Sequence, residues 1–315
     1  MPNRRARFLF HPANELIGRE KLSGESPVPP EPPPPRRRWA QIAGIVLTLA
    51  MVVGVGFQLF GQGWGNFARS VPSDPWFYLA FVALYFALPL GDYVIFRRLW
   101  DIPLEGLGAL IKKRIANEVL FGYSGEAYFY AWAKDRARNV AAPFGAVKDV
   151  SILSALAGNA VTLALIGLSL PFAAHLGAAQ AQGLGLSALF VVAISVPFLL
   201  FRRRVFSLPG AELRYVFWVH IARLVASTVL LALVWALALP QVPLGAWLLL
   251  SAVRMIVGRL PFVPNKDLLF ANFVGLLGAG QGLPMPVALI AGLTLVVHVL
   301  LLGAFPLAAL FRSRR

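Results

Sequence analysis

The sequence predicts an all-α, polytopic membrane protein with about six full spans and two oppositely oriented re-entrant hairpins. Three observations support this fold class. Of the 315 residues, 58% are hydrophobic and only 14% are charged, whereas soluble domains carry about 25% charged residues. Several apolar stretches reach about 20 residues, the length that crosses a hydrocarbon core. Basic residues cluster beside these stretches, as they do in the cytoplasmic loops of membrane proteins.

One domain is expected, preceded by a tail that ends where the first apolar stretch begins. Residues 1–38 form a Pro/Arg-rich tail that contains PVPPEPPPPRRR. Consecutive prolines fix φ and remove donors, so the tail is predicted to be disordered or extended. A linker explains it more simply than a ligand for a proline-recognition domain. Residues 39–315 form the predicted transmembrane domain, which Arg36, Arg37 and Arg38 anchor on the cytoplasmic side.

The order of the apolar stretches predicts the topology of the chain. Full spans are predicted at residues 39–60, 75–96, 151–173, 184–201, 213–239 and 286–311. With the amino end inside, the cytoplasmic segments and their edges hold 24 of the 29 basic residues. The connections placed outside hold one, Arg69. Because Lys and Arg favour the cytoplasmic side, both ends of the chain are predicted to be cytoplasmic.

Two segments are predicted as re-entrant hairpins because neither fits a full span. Residues 104–134 connect two spans that both end in the cytoplasm, and residues 245–280 connect two that both end outside. Each segment has two apolar halves too short to cross alone, interrupted near Gly122 and Gly125 or near Pro264. A hairpin that returns to its starting side satisfies both constraints. The hairpins therefore enter from opposite faces, which gives the inverted repeat common in transporters.

An offset of 141 residues supports this repeat because it aligns similar residues of the two hairpins. The aligned pairs are Lys113 with Arg254, Phe121 with Phe262, Glu126 with Asp267, and Phe129 with Phe270.

Charged and polar side chains concentrate near the predicted hairpin tips, although charge is costly at membrane depth. The candidate binding residues are Lys113, Arg114, Tyr123, Ser124, Glu126, Arg223, Arg254, Arg259, Asn265, Lys266 and Asp267. The pattern predicts a polar cavity between the hairpins whose guanidinium groups bind a phosphate. Helix ends at the breaks would add a positive dipole end. The carboxylates would balance the arginines or take up a proton.

A purely structural explanation of these residues remains open. Glu126 and Asp267 also suit the caps of the second half-helices. Arg114 and Glu118 stand four residues apart, the spacing of an ordinary ion pair on a helix. His298, in an apolar span, is expected to be packed and hydrogen-bonded.

No catalytic residue, cofactor or metal site is predicted. The chain has no cysteine, and its four histidines share no ligand spacing. It lacks a nucleophile elbow, a zinc-protease motif, a phosphate loop and a dinucleotide fingerprint. Anionic lipid headgroups explain the net charge of +15 better than nucleic acid does. The expected partners are therefore membrane lipids, anionic or isoprenoid, and no nucleic acid.

The stretch GYSGEAYFYAWAKDR, Gly122 to Arg136, resembles a Gly-x-x-Gly-Glu motif with Glu126 as its acid. This motif belongs to the membrane region of lysylphosphatidylglycerol synthases, the flippase-like family, which the chain resembles over about residues 39–310. The second hairpin contains RLPFVPNKD, which resembles the start of that family's Leu-Pro-x-x-Pro-Gly motif. It departs from the motif where Asn265 and Lys266 replace glycines, and Asp267 stands near the expected glutamate.

The resemblance implies lipid translocation, or handling of a polyprenyl or hopanoid-type lipid. The printed chain contains no counterpart of the aminoacyl-transfer domain, so the synthase reaction is not implied. We therefore expect a non-enzymatic protein of the bacterial inner membrane that binds and flips an anionic phospholipid or isoprenoid-type lipid. Two alternatives stay open: a secondary transporter of a small solute or ion, and a membrane-embedded lipid transferase that uses Glu126 or Asp267 as a base.

Overall fold

The computed structural model describes residues 46, 49–50, 52–56, 60, 68, 71–119, 124–136, 143–171, 178–200, 205–260, 263–276 and 284–313. These residues contain no strand, so the all-α class is confirmed for the described part of the chain. The predicted tail, residues 1–38, lies outside it. Nine helices are bounded within the described ranges: α1 (Pro75–Trp100), α2 (Gly106–Val119), α3 (Ser124–Arg136), α4 (Pro143–Ser169), α5 (Ala178–Leu200), α6 (Gly210–Ala238), α7 (Leu244–Val257), α8 (Lys266–Leu276) and α9 (Pro284–Ser313).

Four helices, α1, α4, α6 and α9, are long and apolar enough to cross a membrane. They coincide with four of the predicted spans, and the chain is therefore a multi-pass membrane protein. Helix α5 has 23 residues, but its described apolar part, Gly185–Pro197, is shorter than a full span. Most of the predicted span at 39–60 lies outside the described residues, although Val52–Gly56 are helical.

Helix α1 has clear signals at both ends. The Asp74 side chain accepts a 2.9 Å hydrogen bond from the backbone N–H of Trp76, and Pro75 fits the first helical position. At the other end, Asp101 adopts a left-handed conformation with φ 49°. Its N–H donates to the carbonyl of Arg97 at 2.8 Å, which closes the last turn.

Helix α4 begins at Pro143, eight residues before the predicted start of the span at 151. The extra turns contain Lys148 and Asp149. The Asp149 carboxylate accepts hydrogen bonds from the backbone N–H groups of Ser207 and Leu208 at 2.6 and 2.7 Å. Because these bonds compensate for burial of the charge, the helix continues through this position.

Four helices are too short to cross a membrane alone. They are α2, α3, α7 and α8, with 14, 13, 14 and 11 residues. A rise of about 1.5 Å per residue makes each about 17–21 Å long, against about 30 Å for the hydrocarbon core. Helix α2 packs against α3, and α7 packs against α8. The described structure therefore contains two pairs of short helices, at the positions where the sequence predicts hairpins.

Gly125 sets the close approach of α2 and α3. A Cβ at this position would collide with the carbonyl of Lys113, which is backbone and cannot move aside. The Gly125 N–H donates to Asn117 Oδ1 at 2.7 Å, and the Ser124 hydroxyl donates to the carbonyl of Ala116 at 2.7 Å. The beginning of α3 is thus fixed to the end of α2.

Two large apolar clusters form most of the core of the described residues, and a smaller third cluster joins α4 to α7. The α7–α9 cluster joins helices α7, α8 and α9 to the first half of α1 and the end of α6. It includes Phe77, Trp235, Trp247, Phe270 and Ala288. The α2–α4 cluster includes Phe96, Leu110, Phe129, Val150 and Val216. Helices α1 and α6 contribute to both large clusters. The later residue of α1, Arg98, pairs with the earlier residue of α6, Glu212, and the earlier Asp92 pairs with the later Arg223. The two helices are therefore antiparallel.

Candidate functional site

Asp92 of α1 is the centre of a buried charge cluster in which one carboxylate meets two cations. Its Oδ1 lies 2.5 Å from the Arg223 guanidinium, and its Oδ2 lies 2.8 Å from the Lys113 ammonium. The three side chains are 8% exposed or less. Arg223 also donates to the hydroxyl of Ser154 at 3.0 Å. A single charge at this depth would be costly, so each member depends on the others.

Gly91 explains how the Arg223 stem reaches this cluster. A Cβ at position 91 would lie 2.5 Å from Cδ and 2.9 Å from Cγ of Arg223. The glycine therefore lets the arginine of α6 lie directly on α1. The neighbouring His220 ring is fully buried, and its Nε2 lies 3.2 Å from the carbonyl of Val150.

Glu126 extends this cluster to α3. Its Oε1 lies 3.6 Å from the Lys113 ammonium, and its side chain is 19% exposed. The other oxygen, Oε2, is buried and accepts no hydrogen bond within the described residues. Lys113 therefore lies between two carboxylates, with Asp92 the nearer. Asp92 has two cations close to it, Lys113 and Arg223, whereas Glu126 has, among the described residues, only the more distant contact with Lys113. Glu126 is therefore the less tightly held of the two carboxylates.

A second cluster joins α1, α2 and α9. Arg114 Nε lies 2.9 Å from Oε1 of Glu118, one turn further along the same helix. The Arg114 guanidinium also donates to the carbonyl of Tyr85 and lies over the Tyr85 ring, 4.2 Å from its centroid. The other Glu118 oxygen lies 3.4 Å from Nε2 of His298, a buried residue of α9. Glu118 thus links the first short pair to the last long helix.

The two pairs of short helices contact each other directly. The backbone N–H of Asn265, just before α8, donates to the carbonyl of Glu118 in α2 at 2.6 Å. Asn265 is 6% exposed and has a left-handed backbone with φ 46°. Asparagine tolerates this conformation better than most residues with a side chain. The contact places the start of α8 beside the Arg114–Glu118–His298 cluster.

Arg254 and Asp267 join the two arms of the second pair. Two nitrogens of Arg254, Nη2 and Nε, lie 2.7 and 3.1 Å from the same Asp267 oxygen. Both side chains are about 30% exposed, at 31% and 30%, so this ion pair remains accessible.

Arg259 lies on the connection between α7 and α8, and Lys266 is the first residue of α8. The Arg259 guanidinium donates to the carbonyl of Ala155 in α4 at 3.4 Å. The Lys266 ammonium donates to the carbonyl of Gly258 at 2.7 Å. Both residues are half-buried.

The structure brings most of the predicted binding residues together. Lys113, Glu126 and Arg223 belong to the Asp92 cluster, and Ser124 lies at its edge on α3. The contact between the two short pairs is surrounded by Arg114, Asn265, Arg254 and Asp267. Arg259 and Lys266 lie at the two ends of the connection between α7 and α8. Tyr123 falls outside the described residues. His298, expected to be a packed residue, is buried beside Glu118 and Tyr85.

The central residue of the site, Asp92, was missed by reasoning from the sequence. The available signal was its position: it is a carboxylate inside the apolar stretch 75–96. An ionisable residue at such a position has a specific partner as a rule. Ser154 offered no comparable signal, because single serines are common in membrane helices.

Within the described ranges, no group of three or more histidine or acidic side chains is placed to hold a metal ion. The site instead consists of cations, carboxylates and hydroxyl groups. Comparison of the chain with family models, with curated proteins and with solved structures finds no match.

Proposed function

We propose that this protein binds and translocates a lipid with an anionic headgroup, either a phospholipid or an isoprenoid-type lipid. The observation that carries the proposal is the hydrogen bond between Asn265 and Glu118, because it joins the two short pairs. Cations from both pairs surround this contact, and cations at membrane depth are the groups that bind a phosphate.

In this proposal, each short pair is a re-entrant hairpin, and the two hairpins are halves of an inverted repeat. The aligned residues support it, since Lys113–Glu126 and Arg254–Asp267 are both cation–carboxylate pairs that connect the arms of a hairpin. Phe129 and its aligned partner Phe270 are both buried. The halves also interlock: α7 packs against α4, and α2 contacts α9 through Glu118.

The orientation follows from the distribution of basic residues. The asymmetry of 24 to 1 supports a cytoplasmic location for both chain ends. The resemblance to the flippase-like family supports a location in the inner membrane of a bacterial cell. The first hairpin then enters from the cytoplasm and the second from the outer side. Their tips meet near mid-membrane, where a translocated headgroup must pass.

The surface of the second hairpin favours a lipid over a small solute. The accessible Arg254–Asp267 pair occurs on a hairpin that also exposes Leu260 and Phe273, at 43% and 40%. A lipid matches such a surface, because its phosphate interacts with the ion pair while its chains cover the apolar side chains. A water-soluble solute gains nothing from exposed leucine and phenylalanine.

Movement of a labelled lipid between the two leaflets of a vesicle tests the proposal. Purified protein is reconstituted into phosphatidylcholine vesicles that contain fluorescent phosphatidylglycerol, and dithionite is added to quench the outer leaflet. A parallel set contains a fluorescent polyprenyl phosphate. We expect the protected fraction to fall below that of protein-free vesicles for at least one lipid. Arg254→Ala should lower the effect, and Arg214→Ala, at an exposed position of α6, should not.

Other outcomes of the same experiment contradict the proposal. A protected fraction equal to that of protein-free vesicles for both lipids, in the presence of folded protein, would exclude translocation of either class. Uptake of a small anion into sealed vesicles without lipid movement would indicate the solute transporter. A new lipid species found by mass spectrometry after incubation would indicate the transferase. Lipids that co-purify with the protein, identified in the same way, supply the next substrates to test.

A further inference from the structure

Two cations flank the connection between α7 and α8 at the proposed hairpin tip. The Lys266 ammonium, at the first residue of α8, lies 2.7 Å from the carbonyl of Gly258, the residue directly before Arg259. The ammonium therefore lies beside the backbone from which the Arg259 side chain extends. Two neighbouring positive charges at membrane depth repel each other, and a bound anion would offset this cost.

Lys266 differs from the other cations of the site in its described partners. Lys113 and Arg223 lie beside Asp92, Arg114 lies beside Glu118, and Arg254 lies beside Asp267. Within the described ranges, the Lys266 ammonium donates to a carbonyl oxygen and forms no ion pair. A carbonyl uses one of its three N–H donors. The ammonium therefore keeps donors for an anion.

The Arg259 guanidinium packs directly on Gly158 of α4. A Cβ at position 158 would lie 2.7 Å from Cζ of Arg259 and closer still to its two terminal nitrogens. The guanidinium therefore occupies the space that a side chain would fill, and it donates to the carbonyl of Ala155 on the same helix. Helix α4, which is distant from Arg259 in the sequence, therefore holds its guanidinium in place.

We propose that Arg259 and Lys266 together bind a phosphate monoester headgroup. This inference rests on the proposed function and names the substrate class for it. A phosphate monoester carries a charge of about −1.5 to −2 at pH 7, which two cations match, whereas a phosphodiester carries a single charge. The start of α8 adds a positive dipole end at Lys266. The adjacent Asp267 does not oppose the anion, because Arg254 balances its charge at 2.7 Å.

Binding to paired lipids tests the headgroup. The full chain is placed in phosphatidylcholine nanodiscs that contain either dioleoyl phosphatidic acid, a monoester, or dioleoyl phosphatidylglycerol, a diester with the same acyl chains. Bound lipid is counted by native mass spectrometry across a range of lipid contents. Inorganic phosphate and glycerol 3-phosphate are added in separate arms. We expect phosphatidic acid to bind at least about tenfold more tightly than phosphatidylglycerol, or roughly 1.4 kcal/mol.

Four substitutions and one control assign the residues. Arg259→Gln and Lys266→Gln should each reduce phosphatidic acid affinity at least about tenfold, and Arg259→Lys should recover part of the loss because an ammonium lacks the planar fork. Gly158→Ala should reduce affinity while the protein stays folded, since alanine favours a helix and only the flexible end of Arg259 must move. Arg214→Ala removes an exposed cation and should leave the affinity unchanged.

The outcomes separate this inference from the proposed function. Equal affinity for the two lipids, or unchanged phosphatidic acid affinity in folded Arg259→Gln, Lys266→Gln and Gly158→Ala variants, would overturn the inference even if lipid translocation is observed. A preference for phosphatidic acid that these variants remove would support it even if no translocation is observed. Competition by inorganic phosphate with dependence on Arg259 would support the same binding chemistry and identify a free phosphate as the source.

Discussion

Asn265 donates its backbone N–H to the carbonyl of Glu118 at 2.6 Å, and through this bond the two short helix pairs meet. The residues are 147 positions apart in the sequence. The backbone of Asn265 is left-handed, with φ 46°, and this residue directly precedes α8. One backbone hydrogen bond thus connects the two halves of the site.

The backbone of Asn265 gives the first prediction. Asn265→Gly should be tolerated, because glycine adopts positive φ at no steric cost, whereas Asn265→Val should destabilise the protein by about 1–2 kcal/mol. Thermal unfolding in detergent, followed by the intrinsic fluorescence of tryptophan, measures both. Val263→Ala, at the preceding part of the same connection, controls for a general effect of substitution. Equal stability of the glycine and valine variants would show that the left-handed conformation is not required.

Removal of the Asp92 charge gives the second prediction. Asp92→Asn leaves Lys113 and Arg223 without their shared carboxylate, which should cost about 3–5 kcal/mol. Asp101→Asn is the matched control, since it makes the same chemical change at an exposed position of left-handed backbone that asparagine tolerates. Thermal unfolding should separate the two variants clearly. Addition of Lys113→Met to Asp92→Asn should recover part of the loss, and the absence of such recovery would exclude an energetic coupling of the pair.

A charge exchange between Arg254 and Asp267 gives the third prediction. Because the pair is about 30% exposed, at 31% and 30%, either single alanine variant should cost only about 1 kcal/mol of stability. The exchanged pair, Arg254→Asp with Asp267→Arg, should recover part of that loss. It should not recover all of it, because Asp then lies in the last turn of α7 and Arg in the first turn of α8, each at the unfavourable helix end. An exchanged variant less stable than both single charge reversals would contradict the pairing.

The Glu126 carboxylate gives the fourth prediction. Its contact with Lys113, at 3.6 Å, is the longest in the Asp92 cluster, and it can be neutralised while Asp92 keeps both of its cations. Glu126→Gln should therefore preserve folding and lipid binding and slow translocation. Native mass spectrometry measures the binding, and the dithionite assay measures the translocation. Glu105→Gln, at the connection before α2, is the control. Normal translocation by folded Glu126→Gln would support a structural role for this residue.

The orientation of the chain gives the fifth prediction. The chain has no cysteine, so single cysteines introduce unique labels. Cysteines at Ser70, Gln180 and Gln281 should react with a membrane-impermeant maleimide in intact spheroplasts, and one at Ser207 should react only after permeabilisation. Labelling of position 207 in intact spheroplasts would contradict the 24-to-1 distribution of basic residues.

Apolar length predicts the helices of this protein better than it predicts their polar contacts. The stretches 75–96, 151–173, 213–239 and 286–311 coincide with long helices, because burial of a hydrocarbon-length segment dominates the local structure. The short pairs also fall where the apolar halves were broken. The start of α4 was placed too late, because the contacts of Asp149 with Ser207 and Leu208 come from a distant part of the chain.

The site was only partly predictable for a related reason. Side chains of one helix, such as Arg114 and Glu118, follow from spacing alone. The partners of Asp92 come from α2 and α6, and sequence spacing contains no information on which helices pack together. Asn265 shows the reverse case. It departs from the glycine of the motif that the chain resembles, yet its left-handed backbone is one that both residue types adopt.

The ion pairs of Asp92 also constrain how the protein is made. During synthesis, Asp92 leaves the ribosome before both of its cations, since Lys113 follows 21 residues later and Arg223 follows 131 residues later. A lone carboxylate at the centre of a membrane helix costs about 2.5–3.5 kcal/mol. Pairing with Lys113 offsets this cost as soon as α2 is made, before Arg223 is synthesised. When α6 is inserted later, Arg223 can pair with Asp92, which is already in the membrane.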